Sequence, residues 1–183
     1  MFKNLEQVEV TAQQSYLKEG VHKVKVMEVK SSEQREGYTG IPYTEFKVAN
    51  KSGIAYLKMS GADDSTSEAA KDIRMKIFKR FLMSAGATTF SNPPIACKEA
   101  VGSVIEVILG KREYWTNDKD TGEPVIKSVM DYKMSGPEGS NLTFDQNRHN
   151  KPLSPSDSAA YRAAHEAFLN ASTGGVADDS MPF

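Results

Sequence analysis

Five strand-like runs, with one helical run after the third, place this 183-residue chain in the mainly β class. More narrowly, they give it the element order of a five-stranded Greek-key barrel of the OB-fold type. Three observations carry the expectation. The order is strand, two-strand hairpin, α-helix, two-strand hairpin. The first strand slips in its alternation, as a bulge in a bent strand would. The helix carries an Ile/Phe stripe suited to plugging one end of a barrel.

GVHKVKVMEVK (20–30) is the first strand, with apolar positions at Val24 and Val26 and then at Met27 and Val29. SSEQREGYTGIP is polar and carries Gly37, Gly40 and Pro42, so it reads as a loop. YTEFKVAN (43–50) and GIAYLKMS (53–60) are joined across Lys51 and Ser52, a tight antiparallel reversal. Phe46, Val48, Ala55, Leu57 and Met59 are expected to point inward, leaving Tyr43, Glu45, Lys47, Tyr56 and Lys58 outward.

Residues 65–85 have helical periodicity: Ser65 and Glu68 stand at capping-box spacing, and Ala70, Ile73, Ile77, Phe81 and Ala85 form one stripe. Gly86 is the expected stop. SNPPIACKEAVG reads as a loop. SVIEVILGKREYW (103–115) and VIKSVMDYKM (125–134) then form the second hairpin, with a kink at Gly110. Residues 135–157 hold little that would build a core and read as linker. SAAYRAAHEAFLNA (158–171) has helical composition, with Tyr161, Ala164 and Phe168 on one side. Such a helix is marginal unless it docks; self-association and partner docking both fit it.

The expected division is therefore an OB-fold domain over 1–135, followed by 136–183: flexible linker, short helix and acidic tip. Charge divides along the same line. Residues 1–135 carry 20 Lys and Arg against 18 Asp and Glu, a net of +2, whereas 136–183 carry 3 against 6, a net of −3. No apolar run reaches the roughly 20 residues of a membrane span, and MFKNLEQVEVTAQQ lacks the order of a signal peptide. Cys97 is the only cysteine, which excludes an intrachain disulfide and a cysteine-rich zinc site. A cytoplasmic protein is expected.

Catalytic signatures are missing from the sequence: no HExxH, CxxC, GxxxxGK[ST] or GxSxG occurs. Asp118, Asp120 and Glu123 match a cation loop only loosely and read as solvated turn acids. His22, His149 and His165 read as surface residues. No enzyme activity, cofactor or metal is expected.

Binding of single-stranded nucleic acid is better supported. It requires cations along a groove and flat rings on which bases stack. An OB barrel places that surface on the outside of strands two and three, between the loops after strands one and four. Tyr43, Lys47, Tyr56 and Lys58 fall there; Arg35 and Tyr38 lie in the first loop; Lys111, Arg112 and Trp115 lie at the edge of the other. Lys23 and Lys25, opposite Val24 and Val26, also face out. Singly, each is an ordinary strand residue, and Trp115 reads equally as a cap on the barrel mouth. Their combination carries the expectation.

The sequence closes on Asp178-Asp179-Ser180-Met181-Pro182-Phe183. An OB-like body, a polar linker and this acidic-apolar tip resemble the single-stranded DNA-binding proteins of bacteria and their phages, the phage type above all. The bacterial family typically ends in several aspartates and Ile-Pro-Phe; here Ser replaces one Asp and Met replaces Ile. The resemblance implies that Asp178, Asp179, Met181, Pro182 and Phe183 dock on partner proteins of DNA replication, recombination and repair, with Phe183 in an apolar pocket and the acids against basic residues on its rim. It also implies a non-sequence-specific protein that protects single-stranded DNA, as a monomer or a homo-oligomer. Two alternatives share the scaffold: a strand-annealing or recombination mediator protein, and an OB-like protein-interaction module without DNA binding.

Overall fold

The computed structural model describes residues 15–34, 37 and 39–173. Five strands, β1 (Gly20–Ser31), β2 (Tyr43–Asn50), β3 (Gly53–Ser60), β4 (Val104–Asn117) and β5 (Pro124–Pro137), form one antiparallel sheet in the order β3-β2-β1-β4-β5. Helices α1 (Glu68–Ser84) and α2 (Pro93–Ala100) lie between β3 and β4, while α3 (Gln146–His149) and α4 (Pro155–Thr173) follow β5. By contact, the described residues divide into two compact groups, 15–109 with 132–144 and 110–131 with 145–173.

In the first group, the slip expected in β1 is present. Val26 pairs with Val48 but Glu28 with Lys47, so Met27 is the extra residue of a bulge. The bulge lets Val24, Val26 and Val29 all turn toward the core despite their uneven spacing. β2 and β3 meet in a two-residue reversal, Asn50 opposite Gly53, with the Ser52 amide donating to Asn50 Oδ1 at 2.8 Å. Gly53 is required here for a second reason. Its φ is +155°, and a Cβ on it would lie 2.0 Å from the Ser15 carbonyl oxygen. The chain before β1 runs alongside β3 at that point, Leu17 N–H donating to Ile54 O and Ile54 N–H to Ser15 O.

All five residues expected inward on β2 and β3 are buried, and with Val24, Val26, Ile105, Val107 and Leu109 they build the core. α1 covers this inner face. Phe81 packs 4.4 Å from Phe46 between ring centres and meets Tyr132 edge-on at 5.9 Å.

The helix differs from expectation in two respects. It is capped by Ser67, whose Oγ accepts from Ala70 N–H, because Ser65 and Thr66 are already bound to the Asp63 carboxylate. Phe81 and Ala85 are buried as expected, but Ile73 and Ile77 are exposed, at 57% and 42%, since the helix turns Phe78 and Leu82 inward in their place. The orientation exchanges Ile73 and Ile77 for Phe78 and Leu82, and Phe78 brings a ring against Phe46 that neither Ile could offer. The stop at Gly86 is as expected, with φ +76°. Finally, SNPPIACKEAVG is not a loop. Asn92 caps α2, its Oδ1 accepting from Ile95 N–H, and prolines occupy the first two helical positions, where their missing N–H costs nothing.

In the second group, the β4–β5 hairpin closes through Asp118, which accepts from Asp120 N–H, Thr121 N–H and Thr121 Oγ. The stretch expected as linker is tied to β4. Lys111 N–H donates to Asn150 Oδ1, Lys151 N–H to Lys111 O, and Glu113 N–H to Lys151 O. His149 is buried rather than on the surface, with its Nδ1 accepting from Asp145 N–H at 2.9 Å. α4 is longer than expected because Ser154 and Asp157 cap it. Asp157 N–H donates to Ser154 Oγ, which in turn donates to the Asp157 carboxylate, ahead of Pro155 at the first helical position.

Candidate nucleic-acid interface

The outer face of β1–β3 is fixed by strand parity. Once Phe46, Val48, Leu57 and Met59 are inside, their neighbours must be outside. Register then sets the rows. Glu28, Lys47 and Tyr56 lie side by side across the three strands, as do Lys30, Glu45 and Lys58, with Tyr43 opposite Ser60 beyond them. Tyr43 N–H donates to the buried Ser32 Oγ at 2.7 Å, which holds the start of β2 against the turn following β1. Lys58 Nζ stands 3.7 Å from the centre of the Tyr43 ring, a cation–π contact.

Sequence reasoning missed Tyr16. The pairing of residues 15–17 with Ile54 brings its ring 6.4 Å from that of Tyr56, the planes tilted by 52°. The two are 68% and 44% exposed. The available signal was a Tyr-Leu pair within the polar run TAQQSYLKEG: Leu17 is buried, so its neighbour faces out.

The face is mixed in charge. Lys30 pairs with Glu28 at 3.1 Å, which raises the Lys30 pKa through that hydrogen bond and charge. Lys23 pairs with Glu138 and lies opposite Glu106 in the neighbouring strand. Glu106 accepts from Gly139 N–H, Ser140 Oγ and Leu142 N–H, so the chain after β5 is held over this side of the sheet. These donors, the Leu142 amide first, hold the Glu106 carboxyl below the usual carboxylate range. Lys25 is exposed beside Ala49 and Val104.

Tyr43, Lys47, Tyr56, Lys58, Lys23 and Lys25 are thus brought to one face of the first group. Lys111, Arg112 and Trp115 belong to the second group. There the Lys111 main chain is tied to residues 150–151. Arg112 Nε lies 4.0 Å from Asp131. The Trp115 ring meets Tyr161 of α4 edge-on at 6.5 Å, and Tyr161 stacks in turn on His165 at 5.7 Å, whose Nε2 is 3.6 Å from Glu123. Arg35, Tyr38, Asp178, Asp179, Met181, Pro182 and Phe183 lie outside the described residues. Asp118 spends its carboxylate on its own turn, and the Thr121 and Asp120 amides lower its pKa. Among the described residues no cluster of three His, Cys, Asp or Glu is placed to hold a metal ion, and no helix is long and apolar enough to cross a membrane.

No protein-family model matches the chain, and a search of curated proteins finds no similar sequence.

Proposed function

We propose that this chain is a non-sequence-specific single-stranded DNA-binding protein of phage type, with its first group of residues an OB-like barrel. The observation that carries the reading is the Tyr16–Tyr56 pair, two exposed rings beside Lys47 and Lys58 on the outer face of β2–β3. Exposed rings give unstacked bases a partner, and flanking ammonium groups give phosphates one, without any need to read sequence. A bulged first strand that pairs with both β2 and β4 supports the barrel reading; closure between β3 and β5 is part of the proposal. In this reading residues 178–183 recruit replication, recombination and repair proteins, while α4 and its partners on the β4–β5 hairpin are accessory.

Titration with oligo(dT) at two salt concentrations, with duplex DNA as competitor, tests the reading. Tight, salt-sensitive, duplex-resistant binding is expected. Tyr16→Ala and Tyr56→Ala should each weaken it by about 1–3 kcal/mol, roughly 5- to 150-fold. Wild-type affinity in both variants would remove the proposed face.

A second reading, a protein-interaction module, is favoured by an open cleft of about 560 Å³ whose apolar lining includes Val29, Met59, Met75 and Phe78. It predicts no affinity for oligo(dT) in the full chain or in a chain ending at residue 173.

A further inference from the structure

The first group carries a second basic surface on α1, away from the tyrosine face. The helix sequence EAAKDIRMKIFKRFLMS holds five cations and two acids, a net of +3 in a chain whose total is −1. Arg74 is committed to the Gly61 carbonyl at 2.7 Å, Lys71 pairs with Glu68, and Lys76 pairs with Asp72. Lys79 and Arg80 have no carboxylate partner among the described residues.

With Lys76, these two line an open groove of about 620 Å³ between the second half of α1 and the end of β5. The Ser84 and Ser135 hydroxyls lie between them, and Met83 and Leu142 form apolar walls. Among the described residues no acid lines it. On the outer β face, by contrast, Glu28, Glu45, Glu106 and Glu138 stand among the lysines. Compensation of the helix dipole does not account for the cations, since α1 has no basic residue in its last turn.

We infer that this groove holds a second stretch of single-stranded DNA backbone, its phosphates on Lys79 and Arg80. The inference rests on the DNA-binding reading. α1 covers the inner face of the sheet, opposite Tyr56, so a strand that meets both sites passes around the sheet edge. Contacts at the groove are to phosphate, and they add affinity and salt dependence without base stacking.

The test compares the full chain with K79Q/R80Q and with a charge-matched control, K98Q/R162Q, exposed on α2 and α4 and outside both the tyrosine face and the groove, by titration with poly(dT) across a salt series. Loss of two phosphate contacts should reduce the slope of log K against log salt by about 1.4. The number of nucleotides occluded per chain should fall with it, while the control keeps the wild-type slope. A Tyr56→Ala chain should show the converse, weaker binding at an unchanged slope. Poly(dT) binding with the same slope and site size in K79Q/R80Q, or an equal fall in the control, overturns the inference alone. No poly(dT) binding by the wild-type chain overturns the functional reading and this inference with it.

Discussion

Glu106 illustrates how much of the outer face depends on one side chain. Its carboxylate gathers the donors of residues 139–142 over β4, next to Lys23 and its partner Glu138. Replacing it with Ala should leave the fold intact and free that segment, read as faster hydrogen exchange at the Gly139 and Leu142 amides. Acid should act similarly. The folded-state pKa is depressed below 4.5, so the contribution is present above that value and is lost as pH falls through the lower, folded pKa. Exchange at the two amides should therefore accelerate on acidification in the wild type and be insensitive to pH-linked release in Glu106→Ala, once corrected for intrinsic rates. None of this was visible in the sequence, where Glu106 is an outward residue in an apolar strand. By contrast, the inward set Phe46, Val48, Ala55, Leu57 and Met59 follows from alternation alone, because a strand with one buried face leaves its register no freedom.

Elements were readable where a single period dominates. The hairpins, the bulge at Met27 and the stop at Gly86 follow from alternation and turn chemistry. The rotation of α1 does not, because two stripes compete on it. One runs through Ile73 and Ile77, the other through Phe78 and Leu82, and both share Phe81. The core decides in favour of the second, since Phe46 offers a ring to Phe78 at 6.3 Å and to Phe81 at 4.4 Å. The two orientations make opposite predictions. Ile73→Gln should change stability by no more than about 0.5 kcal/mol, as an exposed position does. Leu82→Ala, at a position buried only in the second orientation, should cost about 2–5 kcal/mol in denaturant unfolding. A large loss at Ile73 would restore the other face of the helix to the core. α2 was hidden for a different reason: Asn-Pro-Pro signals a loop and a helix start equally well, and only a buried partner for Ala96, Cys97 and Ala100 selects the helix.

At the scale of the whole molecule, strand number and class follow from the sequence, but the grouping of residues does not. Nothing in KREYW or QNRHNKPL announces that residues 110–131 and 145–173 make one compact group, since two of the ties, Lys151 N–H to Lys111 O and Glu113 N–H to Lys151 O, are main-chain hydrogen bonds that most residues can make. Within the first group, one polar chain links the end of β5 to α1 beside the core. Tyr132 Oη and Ser135 Oγ are 2.8 Å apart, Ser135 Oγ donates to Ser84 Oγ, and Ser84 Oγ donates to the Arg80 carbonyl. With both serine protons so placed, Tyr132 is the donor to Ser135, and it must be neutral to donate. Burial pushes its pKa up to about 12 from 10.0. Below pH 10 folded and unfolded chains both hold this proton; between 10 and about 12 only the unfolded chain releases it. Stability should therefore fall as pH rises through that window, by an amount approaching about 3 kcal/mol from this group. Tyr132→Phe supplies the comparison. It should be less stable than wild type by about 1 kcal/mol at neutral pH, having lost one hydrogen bond, yet escape this alkaline loss. Denaturant unfolding of the two chains from pH 7 to 11.5 should show the gap closing and then reversing; a constant gap would mean that Tyr132 ionises as readily in the fold as out of it.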